Sequence, residues 1–167
     1  LMNQKAAELG CVNSHFANPS GLNNPEHYTC AADFAKIMQY AIRNDTFRSI
    51  DATQVYIHAP INKYPDPDAP ENTIYAHHHM MRRSFSDYYP GVFAGKTGYT
   101  TLAGNTLVTA CERDGMTLIC VILNGHNSQY RDTRNLFNFG YDRFQSLEVG
   151  TADESYNQLA SNLKVDG

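Results

Sequence analysis

Residues 95–101 read Gly-Lys-Thr-Gly-Tyr-Thr-Thr, which sets a fixed cation, a hydroxyl and a glycine side by side. On an extended strand Lys96 and Gly98 point to one face and Thr97 to the other, because side chains alternate. Gly98 has no side chain, so another backbone can lie close against the strand. The Lys96 ammonium and the Thr97 hydroxyl together suit a carboxylate. The run therefore predicts a strand edge where an extended peptide with a free carboxylate docks.

Gly-Lys-Thr also ends a phosphate-binding loop, and that reading fails on spacing. The loop needs a glycine five positions before the second one, where this chain has Pro90, and Gly91 is one residue too close. It also needs a helix straight after the lysine. The chain instead continues into Leu107-Val108-Thr109-Ala110-Cys111 and then residues 116–123, both apolar and β-branched, separated by Arg113-Asp114-Gly115. That pattern is a β-hairpin.

Other residue types invite chemistry less strongly. In His77-His78-His79, alternation would let His77 and His79 converge on a metal ion while His78 could not. No Asp, Glu or Cys stands beside them at ligand spacing, so the segment reads as histidines making hydrogen bonds. Arg131, Arg134 and Arg143 lie on or near a last helix, from which an arginine can grip a carboxylate bidentately. Arg131, nearest the helix start, is the best placed. Ser14, Ser20, Ser49, Ser84, Ser86 and Ser128 are nucleophiles by type, but none of these sits in Gly-x-Ser-x-Gly or Ser-x-x-Lys.

The elements that must position these residues come from periodicity and punctuation. Residues 1–9 form a short helix with Met2, Ala6 and Leu9 on one face, stopped by Gly10. Residues 13–27 are rich in Asn, Pro and Gly and read as a loop. Thr29 is the expected N-cap of a helix whose stripe is Phe34, Ile37, Met38 and Ala41. A short helical turn over 46–49 and a strand over 52–58 come next. Residues 60–70 hold four prolines and two aspartates and form a surface excursion. Strands are expected over 93–99, 105–111 and 117–123. Asn127 or Ser128 then caps a helix with Phe137, Gly140, Tyr141 and Phe144 on one face. From Gly150 the apolar signal thins.

At 167 residues the chain can bury one core. Its net charge of −4 gives no nucleic-acid footprint. It has no apolar run of membrane-spanning length. If Asp114-Gly115 is a two-residue turn, Arg113 faces Met116, Cys111 faces Leu118, and Cys120 lies diagonal to Cys111. Diagonal neighbours are about 7–8 Å apart, beyond comfortable disulfide reach, so both read as buried thiols. The pairing of Cys11 and Cys30 is left open. The chain starts Leu1-Met2-Asn3 inside a helical pattern, and the expectation is a piece of a longer protein.

The ordered set of motifs resembles the serine-type D-alanyl-D-alanine carboxypeptidases, the low-molecular-mass penicillin-binding proteins. The matching pieces are Met2-Asn3-Gln4-Lys5-Ala6, Glu8-Leu9-Gly10, residues 13–16 and Asn18-Pro19-Ser20-Gly21-Leu22. The helix after Thr29, Lys96-Thr97-Gly98-Tyr99-Thr100 with Ala103-Gly104, the Arg113-Asp114-Gly115-Met116 hairpin and the helix over 136–144 complete the set. Lys-Thr-Gly alone is shared with β-lactamases and high-mass transpeptidases; the whole order is more specific.

The resemblance implies an α+β fold, an antiparallel sheet of the β-lactamase/DD-peptidase type with flanking helices, here with its N-terminal part missing. Residues 1–149 would be the C-terminal portion of the catalytic domain, and residues 150–167 the start of a truncated C-terminal β-rich domain or a linker. The implied reaction removes the terminal D-Ala from peptidoglycan stem peptides through an acyl-serine, without metal or cofactor. The implied partners are a stem peptide ending in D-Ala-D-Ala, β-lactams, which acylate the same serine, and an N-terminal half of the same domain. The implied location is extracytoplasmic, at the cell envelope. Of the family's three elements, Ser-x-x-Lys and Ser-x-Asn belong upstream of Met2 and are expected to be missing from this chain, so only Lys-Thr-Gly carries over. Lys96 would supply positive field beside the nucleophile. Thr97 would bind the terminal carboxylate, Gly98 would admit antiparallel pairing, and the Tyr99 N–H would be one oxyanion donor. Arg131 is a further candidate for the carboxylate. The chain alone is expected not to be acylated. Two alternatives stand beside this reading, a β-lactamase-like acyl-serine hydrolase and a non-catalytic peptide-binding chain.

Overall fold

A computed structural model describes residues 1–146 of the chain. The expected boundary at residue 150 and the tail beyond it lie outside the described residues. Element order is α1 (Met2–Glu8), α2 (Ala31–Ala41), α3 (Asp45–Asp51), β1 (Val55–Ile57), β2 (Thr73–Tyr75), β3 (Val92–Thr100), β4 (Gly104–Arg113), β5 (Met116–Ile122) and α4 (Gln129–Arg143).

The main sheet is antiparallel in the order β3-β4-β5. The β4–β5 hairpin has the expected register, with Arg113 opposite Met116 and Cys111 opposite Leu118. Asp114 and Gly115 both take positive φ, 50° and 75°, as a tight turn of this hand requires. Cys111 and Cys120 are buried thiols.

Alternation gives the sheet two different faces. Leu107, Cys111 and Cys120 point to α4 and pack with Met80, Tyr89 and Phe137. Val108, Ala110 and Ala94 point the other way and pack against Met38 of α2. Helices α2 and α3 thus cover one face and α4 the other. Fully burying a side chain such as Phe137 or Leu107 stabilises the fold by about 1.5–3 kcal/mol. A second, two-stranded sheet pairs β1 with β2 and closes off the excursion between them.

Four local expectations are corrected. Cys30, not Thr29, is the N-cap of α2. The Thr29 hydroxyl is instead drawn 2.8 Å to Ser14 Oγ, in a network that also holds buried Asp33. The turn over 46–49 is a full helix, because the Asn44 side chain accepts from Phe47 N and caps it. The expected strand over 52–58 shrinks to Val55–Ile57, because Ala52 caps that helix and Thr53 N still bonds back to Ile50 O. Phe144 leaves the α4 stripe: it is the C-cap, extended and 61% exposed. On the opposite side of the molecule, α1, α2 and α3 enclose an apolar groove of about 1130 Å³, lined by Met2, Phe34, Ile37, Phe47 and Ile50.

Candidate functional site

Among the described residues strand β3 is one of the two edges of the sheet, and its backbone polarity can be worked out residue by residue. The Gly95 N–H does not point to β4; it donates to Asp51 Oδ2 at 2.8 Å. Opposed residues in an antiparallel pair alternate between exchanging both backbone bonds and turning them outward. Gly95 lies opposite Thr109, Lys96 opposite Val108, Thr97 opposite Leu107, Gly98 opposite Thr106 and Tyr99 opposite Asn105. Lys96 and Gly98 therefore bond to β4, while Thr97 and Tyr99 turn N–H and C=O to the open edge, as Gly95 does. In accord with this, Lys96 Nζ curls onto the Thr97 carbonyl at 2.6 Å.

Burial changes abruptly along this strand. Ala94 and Gly95 are buried, whereas Lys96, Gly98 and Tyr99 are exposed. Tyr99 is 68% exposed, so its backbone is the part of the residue that the sheet holds. The Lys96 side chain shares the face of Val108, toward α2, and the Thr97 side chain shares the face of Leu107, toward α4. The expected alternation of charge and hydroxyl across the strand is present. A side chain at Gly98 would place its Cβ 2.5 Å from Thr106 Oγ1.

Two residues outside the motif fix its position. Helix α3 is stapled across the sheet by Arg48, whose guanidinium lies 3.9 Å from the Phe93 ring centre and 2.5 Å from Glu112. One turn later Asp51 meets Gly95. Burial pushes the Asp51 carboxyl above its ordinary value, opposed by the Gly95 N–H and the nearby Lys96 charge. From the α4 face, His78 packs beneath Gly95: a Cβ there would lie 2.5 Å from the His78 ring and 2.5 Å from the Val108 carbonyl oxygen. His78 Nε2 lies 2.8 Å from Thr109 Oγ1. Burial lowers the His78 pKa to about 4, so the ring is neutral near pH 7.

The remaining candidates are more scattered. Arg131 lies in the first turn of α4, exposed, with Nε 3.4 Å from Asp132 Oδ1. Its helix starts near the Tyr99 end of β3, because Asn105, opposite Tyr99, donates from Nδ2 to Asn127 Oδ1 at 2.9 Å. Arg134 instead donates to the carbonyls of Ser86, Asp87 and Tyr88 and organises the loop that enters β3. His79 stacks between Phe85 and Tyr130 with interplanar angles of 13°. Among the described residues no group of three His, Cys, Asp or Glu is placed to hold a metal ion. Ser14, Ser20 and Ser128 hydrogen-bond to Asp33, Asn18 and Asp132, and among the described residues none pairs with a lysine or histidine.

The serine motifs of the sequence need one amendment. The tail contains Ser155-Tyr156-Asn157 and Ser161-Asn162-Leu163-Lys164, which carry both serine spacings. They come after Lys-Thr-Gly instead of preceding it, in reverse order, and lie outside the described residues. Residue types and spacing do not point to Asp51 or to the role of His78. Only the glycine directly before Lys96 hints that something closes on the strand there.

Comparison with known proteins places the chain in a family. The sequence profile of the peptidase S11 family, D-alanyl-D-alanine carboxypeptidase, matches residues 1–127. The D-alanyl-D-alanine carboxypeptidase DacB2 of Mycobacterium tuberculosis is 31% identical over 157 residues, covering 90% of this chain and 50% of that protein. DacF of Bacillus subtilis, another D-alanyl-D-alanine carboxypeptidase, is 26% identical over 167 residues, covering 98% and 39%. The crystal structure of a D-alanyl-D-alanine carboxypeptidase from M. tuberculosis superposes with a TM-score of 0.72 at 29% identity, over 90% of this chain and 55% of that one. A Streptomyces DD-transpeptidase gives 0.72 at 28%, over 84% and 52%. The chain spans about half the length of the curated relatives it matches. With its α+β fold, its ordered motifs and the profile match across most of its length, the chain belongs to the peptidase S11 family of D-alanyl-D-alanine carboxypeptidases.

Proposed function

We propose that β3 is the substrate-holding wall of a D-alanyl-D-alanine carboxypeptidase site. A stem peptide ending in D-Ala-D-Ala adds to the free edge as an antiparallel strand, pairing with Thr97 and Tyr99. The Thr97 hydroxyl and Arg131, both on the α4 side, take the terminal carboxylate, and Lys96 supplies positive charge beside it. The Tyr99 N–H is one of two donors to the oxyanion that forms when a serine attacks the peptide carbonyl. In the reaction the serine oxygen bonds to that carbonyl carbon, D-Ala leaves with a proton, and water then cleaves the acyl-serine. β-Lactams bind as mimics of the dipeptide. The work is extracytoplasmic, where such peptides are exposed; no helix among the described residues is long and apolar enough to cross a membrane.

The observation that carries this reading is the Gly95 N–H bonded outward to Asp51, because it sets Thr97 and Tyr99 facing the open edge. Titration calorimetry with an acyl-D-Ala-D-Ala peptide is the test. The expected result is binding with a dissociation constant on the order of millimolar, weakened about tenfold or more by Lys96→Ala. No heat of binding would remove the proposal. A fluorescent penicillin should leave no covalent adduct on this chain, and an adduct on Ser161 would show that the tail supplies the nucleophile.

A further inference from the structure

The end of the β3 edge nearest Gly95 is closed, and the closure is chemical as well as steric. We propose that Asp51 is an end stop: it fills the Gly95 pairing slot, so that only a peptide whose chain terminates beside Thr97 pairs with this edge. The proposal deepens the reading above and rests on it. An antiparallel strand laid on β3 runs with its C-terminus toward Val92. Its continuation past Thr97 reaches Gly95, the next outward-facing position. There the N–H is already taken by Asp51 Oδ2 at 2.8 Å. An incoming peptide carbonyl would face a carboxylate oxygen, an acceptor against an acceptor, with no donor for either.

Neither partner of this bond can step aside cheaply. Asp51 ends a helix fixed at its start by the Asn44 cap and across the sheet by Arg48 on Phe93 and Glu112. Gly95 cannot sink into the sheet, because His78 and the Val108 carbonyl oxygen already lie against it. A chain that ends at Thr97 meets none of this obstruction, and its carboxylate lies next to Lys96, which offsets the negative charge of Asp51. Asp51 is thus a positioning residue. It selects for chain ends without touching the bond that is cut.

The test compares acyl-D-Ala-D-Ala with acyl-D-Ala-D-Ala-Gly-Gly-Gly, whose last residue falls opposite Gly95 when the penultimate D-Ala pairs with Tyr99, by amide shift titration of the 167-residue chain at Thr97 and Tyr99. The expected result is that the shorter peptide binds at least about tenfold more tightly. Asp51→Ala should narrow that ratio to about threefold or less. Asp51→Asn, whose amide oxygen still accepts from Gly95, should restore it. Hydrogen exchange at the Gly95 amide should be slow in the parent chain and in Asp51→Asn, and fast in Asp51→Ala. Equal binding of the two peptides by the parent chain overturns the end stop while leaving pairing at Thr97 and Tyr99 intact. An unchanged ratio in Asp51→Ala, with the Gly95 amide exchanging fast, also overturns it. If neither peptide perturbs the edge, the substrate reading falls and the end stop with it.

Discussion

From Val92 to Gly95, strand β3 is tucked between two layers of side chains; from Lys96 to Thr100 the same strand is mostly exposed. The first half is held by Arg48 on Phe93, Asp51 on Gly95 and His78 beneath it. The second half has its bonds to β4 and the local bond from Lys96 Nζ to the Thr97 carbonyl, and its outward N–H groups face the open edge. Stability and recognition are thereby divided along one strand. The clamped half sets the height and twist of the edge, and the open half inherits that geometry without burying its own side chains. A binding edge needs unpaired donors, and unpaired donors need water or ligand, so they cannot lie where the core is packed.

Substitutions can break this division from either side. The largest effect should come from Gly95→Val, which drives a branched side chain into the His78 ring and a backbone oxygen. The expected cost is about 3 kcal/mol, read as a lower urea midpoint, with Thr97 and Tyr99 losing binding as the edge shifts. If that variant unfolds like the parent, the clamp is not what holds the strand.

The second test uses pH. The fold holds His78 neutral with a pKa of about 4, below its ordinary value of 6.5. The unfolded chain therefore takes up the proton first. The contribution is complete above about pH 6.5 and is lost as pH falls toward 4, amounting to up to about 3 kcal/mol. Asp51, with its carboxyl raised by burial, acts in the opposite sense, since the fold favours its neutral form. The His78→Gln variant should lack the 6.5-to-4 limb, so that subtracting its stability profile from that of the parent leaves the limb in the difference. A difference profile flat across that window would show that His78 is not buried against the strand. The smallest effect belongs to the open half. Thr97→Val should change stability by no more than about 0.5 kcal/mol but weaken acyl-D-Ala-D-Ala about fivefold in calorimetry. Loss of stability without loss of affinity would reverse the assignment of the two halves.

The same division decides how much is legible from residues alone. The open half and the hairpin behind it are legible, because they depend on neighbours in sequence. Asp114-Gly115 dictates a tight turn, the turn dictates that Cys111 faces Leu118, and alternation separates Lys96 from Thr97. The clamped half is not. Asp51 and Gly95 are 44 residues apart, and no local pattern announces a helix C-terminus reaching a strand edge. Thr29 fails as a cap for a related reason. By type it is suited to the role, but a tertiary partner, Ser14, claims its hydroxyl. Alternation does not apply to the three histidines, because β2 ends at Tyr75 and His79 already opens a short 3-10 helix over His79–Met81. The loop between them, not a strand, turns His78 inward, onto Thr109 and beneath Gly95.

The small β1–β2 sheet has a practical use. Its pairing, together with the bond from His58 N to Asn72 O at 2.9 Å, ties off everything between these residues as a separate loop. At its far tip Ile61 and Tyr64 bridge across the exposed pair Asn62-Lys63. Lengthening a loop is cheap, about 0.6 kcal/mol for each doubling. A peptide tag or fluorophore spliced between Asn62 and Lys63 would therefore leave β3 untouched, and gives an attachment point for immobilising the protein with its binding edge free.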